Sequence, residues 1–436
     1  MRDLQNSRPI NLHRVCHDSR MAALVDEVKT TLYPDSKSKP LDRVLPLLLS
    51  ELYLAWLEDP NSCIGLYMSK RFYSLDRYNS SSISHFLVDL VKHMANKDWI
   101  GLEKGLQTTD RKRPGRTTRI WAEKKLISLF TSNPISSDDF DLNQGYETVI
   151  LRDASKNPIE YEDTTETRRM RSVLRDYNRL LKQSFIDIPE LDKPVVKLAN
   201  GETLRVSPHQ KTVVRIFSNS SFEQNGRFYG AWWHNLPSRW RQRIHINGSP
   251  TVEYDYSSML PTLMYAEAGH QLTKDAYSLP LPGNNPFERS ELKKIILIAI
   301  NAANEQEAMK AIRYKLREEN TLSFTDYHIT QSIEAFKKEH PLIADQICSG
   351  AGLKLMKTDS DIAEKVIEKF MDNDTPVLSI HDSFIVPWIN DKELIENMER
   401  SFEEVTGVLP FNIASESIEW RKSVDGALSS QFRKRH

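Results

Sequence analysis

One apolar stretch of the chain carries an acidic residue where acids are rarely tolerated. The segment SIHDSFIVP, residues 379–387, has the composition of two strands around a histidine–aspartate pair, His381 and Asp382. An ionised carboxylate among such residues is costly unless it is paired or holds a metal ion. Asp382 therefore constrains the fold strongly, because the surrounding structure must provide a partner for its charge.

The size and composition of the chain are those of a multidomain globular protein. It has 436 residues, of which 39% are hydrophobic and 27% are charged, and this length exceeds one ordinary core. No apolar run approaches the roughly 20 residues of a membrane span, and the N-terminus lacks the apolar core of a secretory signal. The three cysteines are scattered without metal-ligand spacing, so we expect reduced thiols in a cytoplasmic protein.

The net charge of −1 conceals one strongly basic segment. Residues 104–125 contain eight lysines and arginines and two acidic residues, arranged around a Pro-Gly break. A nucleic-acid contact and a solvated basic loop are both consistent with this composition.

The basic segment lies within a pattern typical of DNA-binding modules. From residue 42 to residue 131 the order is helix, serine-capped helix near 83–95, strand, basic hairpin and strand. This order resembles a winged helix-turn-helix, which implies DNA contact through the helix around 80–92 and through a wing. The wing residues are Arg111, Lys112, Arg113 and Arg116. Winged helices also serve as protein–protein modules, and that alternative stays open.

A second acid stands at the end of another predicted strand. In TVEYDYSSML, residues 251–260, the strand ends at Asp255 and a helix begins near residue 257. A carboxylate followed by helix N–H groups suits a metal ion that also meets a phosphate, although plain helix capping gives the same pattern. If the strands of Asp255 and Asp382 are neighbours, their carboxylates can bind two Mg²⁺ or Mn²⁺ ions. Such a pair activates a 3′-hydroxyl and stabilises a leaving pyrophosphate.

Between the two acids lies a predicted helix with a polar stripe. Residues at a spacing of four share one face, and they are Arg289, Lys293, Leu297 and Asn301. The two cations suit a triphosphate, and the far end of the stripe suits a base and sugar. An amphipathic helix with two surface cations is the alternative.

Four segments together resemble the single-subunit polymerase superfamily, which includes family A DNA polymerases and phage-type RNA polymerases. They are NGRFYGAWW, DYSSMLPTLMY, RSELKKIILIAINA and IHDSF, in the order of the family's motifs, and the transposon-virus polymerases are the most similar group. The resemblance implies that Asp255 and Asp382 bind the catalytic metal ions and that His381 lies near the primer end. It also implies that Arg227 and Tyr229 contact the template or the duplex.

The same resemblance implies a nucleotide site on the predicted helix, with Arg289 and Lys293 at the triphosphate and Leu297 and Asn301 near base and sugar. The sequence departs from the family at this end of the site. Asn301 and Ala302 stand where the family has Tyr and Gly. Leu260 stands where family A DNA polymerases have a Glu that excludes the 2′-hydroxyl. The choice between dNTPs and NTPs therefore stays open, as does the need for a primer.

We therefore expect an α+β protein with a right-hand polymerase palm and small helical fingers, preceded by a winged-helix domain. The expected divisions are an N-terminal lead-in over 1–40, the winged helix over 41–131, a linker hairpin and basic helix over 132–200, and palm with fingers over 201–436. The basic helix of the linker is a candidate thumb element.

The expected function is that of a monomeric nucleotidyltransferase, a DNA-directed DNA or RNA polymerase using two metal ions. Its partners are a DNA template or primer-template duplex and nucleoside triphosphates, with no membrane. It would serve the replication or priming of a mobile element. The alternative is a non-catalytic DNA-binding replication initiator or transcriptional regulator that retains the palm as a scaffold.

Overall fold

Two units, each with its own helices and sheets, make up the chain. The computed structural model describes residues 2, 4, 7–69, 73, 76–79, 81–107, 115–143, 145–198, 201, 203–319 and 324–415. The first unit comprises Met1–Glu147 and Leu191–Gln210, and the second comprises Thr148–Glu190 and Lys211–His436. The sequence places the last boundary at residue 200, whereas the contacts within the chain divide it at residues 147, 190 and 210. Helices and strands are mixed, as the α+β prediction requires.

The elements are numbered in chain order. The strands are β1 Ser7–Pro9, β2 Arg14–Cys16, β3 Cys63–Leu66, β4 Ile100–Glu103, β5 Thr118–Ala122, β6 Phe140–Leu142, β7 Val149–Leu151, β8 Ile186–Asp187, β9 Val195–Lys197, β10 Thr203–Arg205, β11 Val214–Ser218, β12 Ser221–Tyr229, β13 His245–Ile246, β14 Ser249–Tyr256, β15 Leu378–Ile380, β16 Ser383–Pro387 and β17 Ile413–Ser415. The helices are α1 Ser19–Leu32, α2 Lys39–Glu58, α3 Phe86–Asn96, α4 Lys124–Ser132, α5 Thr165–Gln183, α6 Ser238–Arg241, α7 Met259–Glu267, α8 Arg289–Asn301, α9 Glu305–Glu318, α10 Asp326–Glu339, α11 Gly352–Met371 and α12 Asp391–Thr406. Among the residues described, no helix is both long enough and apolar enough to cross a membrane.

The first unit contains a four-stranded sheet in the order β1-β3-β5-β4. β5 is antiparallel to both β3 and β4, and β1 joins the sheet parallel to β3. A bridge between Leu106 and Arg116 extends the β4–β5 hairpin towards its tip. The helices α2 and α3 pack their apolar sides into a common core with this sheet. The helix predicted near 83–95 begins at Phe86 and ends at Asn96.

A buried ionic cluster attaches the first two strands to α2. Arg8 Nη2 donates to both carboxylate oxygens of Glu51 at 3.1 Å, and Arg14 Nη1 donates to Glu51 Oε1 at 2.7 Å. Glu51 is 0% exposed, so one buried acid holds two buried cations, and Glu58 lies 3.4 Å from Arg8. The segment 7–32, which the sequence assigns to a lead-in, therefore forms β1, β2 and α1 within the first unit.

We predict that Glu51→Gln lowers the free energy of unfolding of the first unit by about 3–5 kcal/mol, because it removes the counter-charge that two buried guanidinium groups share and leaves Arg8 with Glu58 alone. Urea unfolding of the full chain, followed by circular dichroism, measures this loss. Glu103→Gln is the matched control, since Glu103 pairs with Arg116 but is 49% exposed. It should cost at most about 1 kcal/mol. Equal losses in the two variants would contradict the assigned role of Glu51.

The second unit is built on a sheet in the order β15-β16-β14-β13-β8, with β17 also paired to β14. β14 and β16 are antiparallel over five residue pairs, from Thr251 opposite Pro387 to Asp255 opposite Ser383. Every residue of β16 is buried, which explains its continuous apolar sequence. A second sheet, β12-β11-β7, packs against α11.

A buried arginine fixes α11 to this second sheet. Arg215 on β11 donates to Ser360 Oγ at 2.9 Å and to Asp361 Oδ1 at 3.2 Å, and it also pairs with Glu364. Gly226 adopts a φ of +79°, and a Cβ there would lie 2.8 Å from Ser360 Oγ, so the close approach of β12 to α11 needs glycine. This contact places the following residue, Arg227, against α11.

Candidate functional site

The sheet of the second unit brings the two predicted metal-binding acids to the same level of neighbouring strands. Asp255 lies opposite Ser383, and the N–H of Tyr256 donates to the carbonyl of Asp382 at 3.1 Å. Both acids are partly exposed, although every residue of β16 is buried. The pairing of β14 with β16 therefore places two carboxylates, distant in sequence, at one edge of the sheet. We call Asp255 and Asp382 together the carboxylate edge.

Asp382 is carried by a two-residue turn between β15 and β16. Ile380 pairs with Ser383, so His381 and Asp382 alone form the connection. His381 adopts a φ of +59°, in the left-handed region that such turns usually fill with Gly, Asn or Asp. A non-glycine residue held there costs roughly 1–3 kcal/mol, and such strain is concentrated at functional sites.

The imidazole of His381 lies in a buried, positively charged environment. Burial lowers its pKa to about 4, and the charges of Arg227 and Arg241 act in the same direction. The ring of Tyr229 meets it edge-on, with 5.4 Å between ring centroids. His381 is therefore neutral near pH 7 and can donate or accept a hydrogen bond without adding charge. Sequence analysis named both His381 and Tyr229, and the fold brings them together.

Arg227 is held inside the protein by an acid that sequence analysis missed. Its Nε donates to Asp359 Oδ2 at 2.5 Å, and Asp359, on α11, is only 1% exposed. Burial and the charge of Asp382 raise the pKa of Asp359 to about 6, while Arg227 opposes the shift. Burial disfavours the charge of Arg227, but Asp359 and Asp382 outweigh it and raise its pKa. Arg227 thus supplies positive charge beside Asp382.

A second ion pair lies next to Asp255 on the same face of β14. Glu253 is 2% exposed and accepts hydrogen bonds from Arg241 Nε at 2.9 Å and from Ser383 Oγ at 2.6 Å. Residues two apart in a strand share a face, so the Glu253–Arg241 ion pair lies on the same face of β14 as Asp255. No local pattern identifies Glu253, because its partners Arg241 and Ser383 lie on other elements, α6 and β16.

The four residues predicted to bind a nucleotide lie along one side of α8. The helix begins at Arg289 after a capping box formed by Glu288 and Glu291, and its opposite side is buried. Arg289, Lys293 and Asn301 are exposed, and Leu297 is partly exposed. Asn301 Nδ2 donates to the carbonyl of Leu297 at 2.7 Å. The stripe therefore exists as an accessible surface, with two cations at its N-terminal end.

Arg289 forms an ion pair with an acid from the preceding loop. Its Nε and Nη2 donate to the two oxygens of Asp275 at 2.6 and 2.8 Å, and its guanidinium lies 5.7 Å from the ring centroid of Tyr277. Asp275 Oδ1 also accepts from Ser258 Oγ at 3.4 Å, just after the Asp255 strand. Asp275 therefore connects the end of β14 to the first cation of α8.

Tyr277 contributes a buried polar group at this point. It is 1% exposed, and its hydroxyl has no hydrogen-bond partner within the described residues. Burial raises its pKa, and the negative charges of Asp275 and Asp382 add to the shift. The hydroxyl therefore lies within electrostatic range of both Asp382 and the Asp275–Arg289 pair. No local pattern identifies Asp275 or Tyr277, since both lie in an irregular connection between α7 and α8.

The predicted wing residues belong to the first unit. Arg116 forms an ion pair with Glu103 at 3.1 Å, and its backbone pairs with Leu106. Arg111, Lys112 and Arg113 lie outside the described residues. On α3, the predicted recognition helix, the exposed side carries Asp89, Lys92 and Asn96.

The carboxylate edge has the donor chemistry of a magnesium site. Over the described ranges, no group of three or more His, Cys, Asp or Glu side chains is placed to hold a metal ion. Mg²⁺ in nucleotide-handling proteins is usually held by one or two carboxylates, together with substrate phosphates and water. Asp255 and Asp382 supply two hard oxygen ligands at adjacent strand positions, so they fit a site that a phosphate-bearing substrate completes.

Comparison with known proteins gives matches among solved structures alone. No protein family and no curated protein matches the sequence. Among solved structures, the chain is similar to the POL domain of Pol1 from M. smegmatis in complex with DNA primer-template and dNTP. The identity is 12% and the TM-score 0.32, over 91% of this chain and 80% of that one. A TM-score of this size does not establish a shared fold, so function must be inferred from the residues of this chain.

Proposed function

We propose that the chain is a template-directed nucleotidyltransferase that extends a nucleic-acid strand on a DNA template. The observation that carries this proposal is the pairing of β14 with β16, which sets Asp255 and Asp382 side by side. The same unit carries the exposed cations Arg289 and Lys293 on α8. Two adjacent carboxylates and two cations are the groups that transfer of a nucleotide from a triphosphate requires.

In this proposal Asp255 and Asp382 hold Mg²⁺, with Mn²⁺ as a substitute. Such ions, when bound, activate a 3′-hydroxyl and neutralise charge on the leaving pyrophosphate. Arg289 binds phosphate oxygens as a planar fork, and Lys293 acts as a point charge. Leu297 and Asn301 lie at the end of the stripe towards base and sugar.

The groups around Asp382 tune the site. Arg227 and Asp359 form a fixed pair beside Asp382, so the local charge is balanced before substrate arrives. His381, which is neutral near pH 7, packs against Tyr229 and faces the primer end. Binding at the primer end therefore depends on shape and hydrogen bonding rather than on an added positive charge.

The first unit is proposed to bind duplex DNA as a winged helix-turn-helix. Two features support this proposal, the element order α2, β3, α3, β4, β5 and the position of β5 between β3 and β4. The β4–β5 hairpin leads to the basic segment with Arg111, Lys112 and Arg113. A replication or priming role for a mobile element belongs to the same proposal, and it rests on the resemblance of the four sequence motifs to the transposon-virus polymerases.

The test of catalysis is extension of a labelled primer-template with Mg²⁺, using dNTPs and NTPs in separate reactions. We predict extension by the unmodified chain and a loss of at least about a thousandfold in Asp382→Asn and Asp255→Asn, because charge stabilisation of the transition state is lost. Asp372→Asn is the control, since Asp372 is an exposed acid at the end of α11. The preferred nucleotide pool identifies the sugar, and product on a bare template shows priming.

Two outcomes would contradict the catalytic proposal. Extension that survives in both acid variants would remove Asp255 and Asp382 from the reaction. Absence of product in every reaction, with duplex binding retained, would favour the non-catalytic DNA-binding initiator or regulator.

We also predict that Asp275→Asn tightens triphosphate binding, because Asp275 and the substrate compete for Arg289. The apparent KM for the nucleotide should fall about two- to fivefold, which is the range expected for an exposed ion pair. Glu404→Gln is a matched control, since both oxygens of Glu404 accept from Lys369 on α11, at 3.0 and 2.8 Å, outside the proposed binding surfaces. Weaker nucleotide binding in Asp275→Asn would mean that Asp275 orients Arg289 instead of competing for it.

For the first unit, we predict that replacing Arg111, Lys112 and Arg113 together with alanine weakens duplex binding for all sequences. The slope of log K against log salt should become shallower by about 3, because up to three phosphate contacts are lost. Fluorescence anisotropy at several salt concentrations measures the slope. The double variant Lys37→Ala with Lys39→Ala, at the start of α2, controls for lost charge in the same unit. An unchanged slope would favour a protein–protein role for this unit.

A further inference from the structure

Helix α9 presents a basic and aromatic face that the proposed chemistry does not use. Lys310, Arg313, Tyr314 and Arg317 recur at spacings of three and four, so they lie on one side of the helix. The other side is buried through Ala308, Ile312 and Leu316. We define Lys310, Arg313, Tyr314 and Arg317 as the α9 face.

An exposed aromatic ring is the centre of the α9 face. Tyr314 is 67% exposed, a large apolar surface left in water. A surface depression of about 470 Å³ is lined by the α9 face together with Glu318. The ring therefore borders open space at the surface, in which a flat group can stack against it.

The three cations around Tyr314 differ in whether they form ion pairs within the protein. Arg313 is held by Asp326 at 2.7 and 2.8 Å. Lys310 and Arg317 form no ion pair with any residue that the structure describes. Glu318, at the rim, accepts from Lys315 at 3.2 Å, which reduces its effect on the face. Two cations about 10 Å apart along the helix thus flank the ring without protein counter-charges.

This combination matches single-stranded nucleic acid. Unpaired bases stack on exposed aromatic rings regardless of sequence, and Lys and Arg neutralise the neighbouring phosphates. A duplex keeps its base faces stacked internally, so it would engage the cations and leave the ring unused. A membrane surface would require a continuous apolar side, whereas the α9 face carries one ring among three cations.

We propose that the α9 face binds a single-stranded nucleic-acid segment, which is the unpaired template strand if the proposed polymerase function holds. Tyr314 stacks on a base, and Lys310 and Arg317 contact phosphates on either side. Arg313 stays paired with Asp326 and supports the ring position. The interaction is independent of sequence, because stacking and phosphate contacts carry no base readout.

The test measures binding of a fluorescent oligothymidylate to the full chain without metal or nucleotide, so it does not depend on catalysis. Tyr314→Ala should weaken binding about tenfold, and Tyr314→Phe should retain it, because the ring stacks in both the wild type and the Phe variant. Lys310→Ala with Arg317→Ala should reduce the salt slope by about 1.4, at about 0.7 per lost phosphate contact. Tyr327→Ala is the control, since Tyr327 is a similarly exposed tyrosine on α10, at 64%.

Each outcome decides the proposal. A loss in Tyr314→Ala that Tyr314→Phe and Tyr327→Ala do not share supports it. Equal binding by wild type and Tyr314→Ala, or no binding by wild type, overturns it. The proposal is also overturned if Tyr314→Ala weakens binding to heparin or to anionic vesicles as much as it weakens binding to oligothymidylate. The face would then bind polyanions without stacking. Extension assays with Asp382→Asn report on the catalytic proposal separately, so the two can fail independently.

Discussion

The antiparallel pairing of β14 with β16 organises the second unit. It buries the whole of β16 and at the same time aligns Asp255 with the turn that carries Asp382. Two like charges at adjacent strand positions repel each other, and burial of their strands strengthens that repulsion. The surrounding elements are arranged to offset this cost.

Compensation comes from arginines that are themselves fixed by acids. Arg227 lies beside Asp382 and is anchored by Asp359, while Arg241 neutralises Glu253 on the face that also carries Asp255. Arg215 joins the second sheet to α11 and thereby places Asp359. Positive and negative charges around the carboxylate edge therefore offset one another. Both acids nevertheless remain partly exposed to solvent. The left-handed turn at His381 is a local conformational cost of that arrangement.

Sequence reasoning succeeded where a single element contains the whole signal. The stripe from Arg289 to Asn301 follows from helical spacing alone, and α8 displays it on its accessible side. The strand character around Asp255 and Asp382 follows from apolar runs interrupted by one acid. The sequence offers no comparable signal for β1 and β2, because each is three residues long and gains stability from the buried Arg8–Glu51–Arg14 cluster rather than from local propensity.

The amino-acid sequence is sufficient to identify the candidate site residues: two acids at strand ends, two cations on one helical side, and a basic hairpin. These features depend on residue type and short spacing. Three further features arise from tertiary contacts: the proximity of Asp255 to Asp382, the ion pair of Arg227 with Asp359, and the ion pair of Arg289 with Asp275. Those contacts join residues from different elements, and they depend on tertiary packing and charge pairing, which no local pattern encodes.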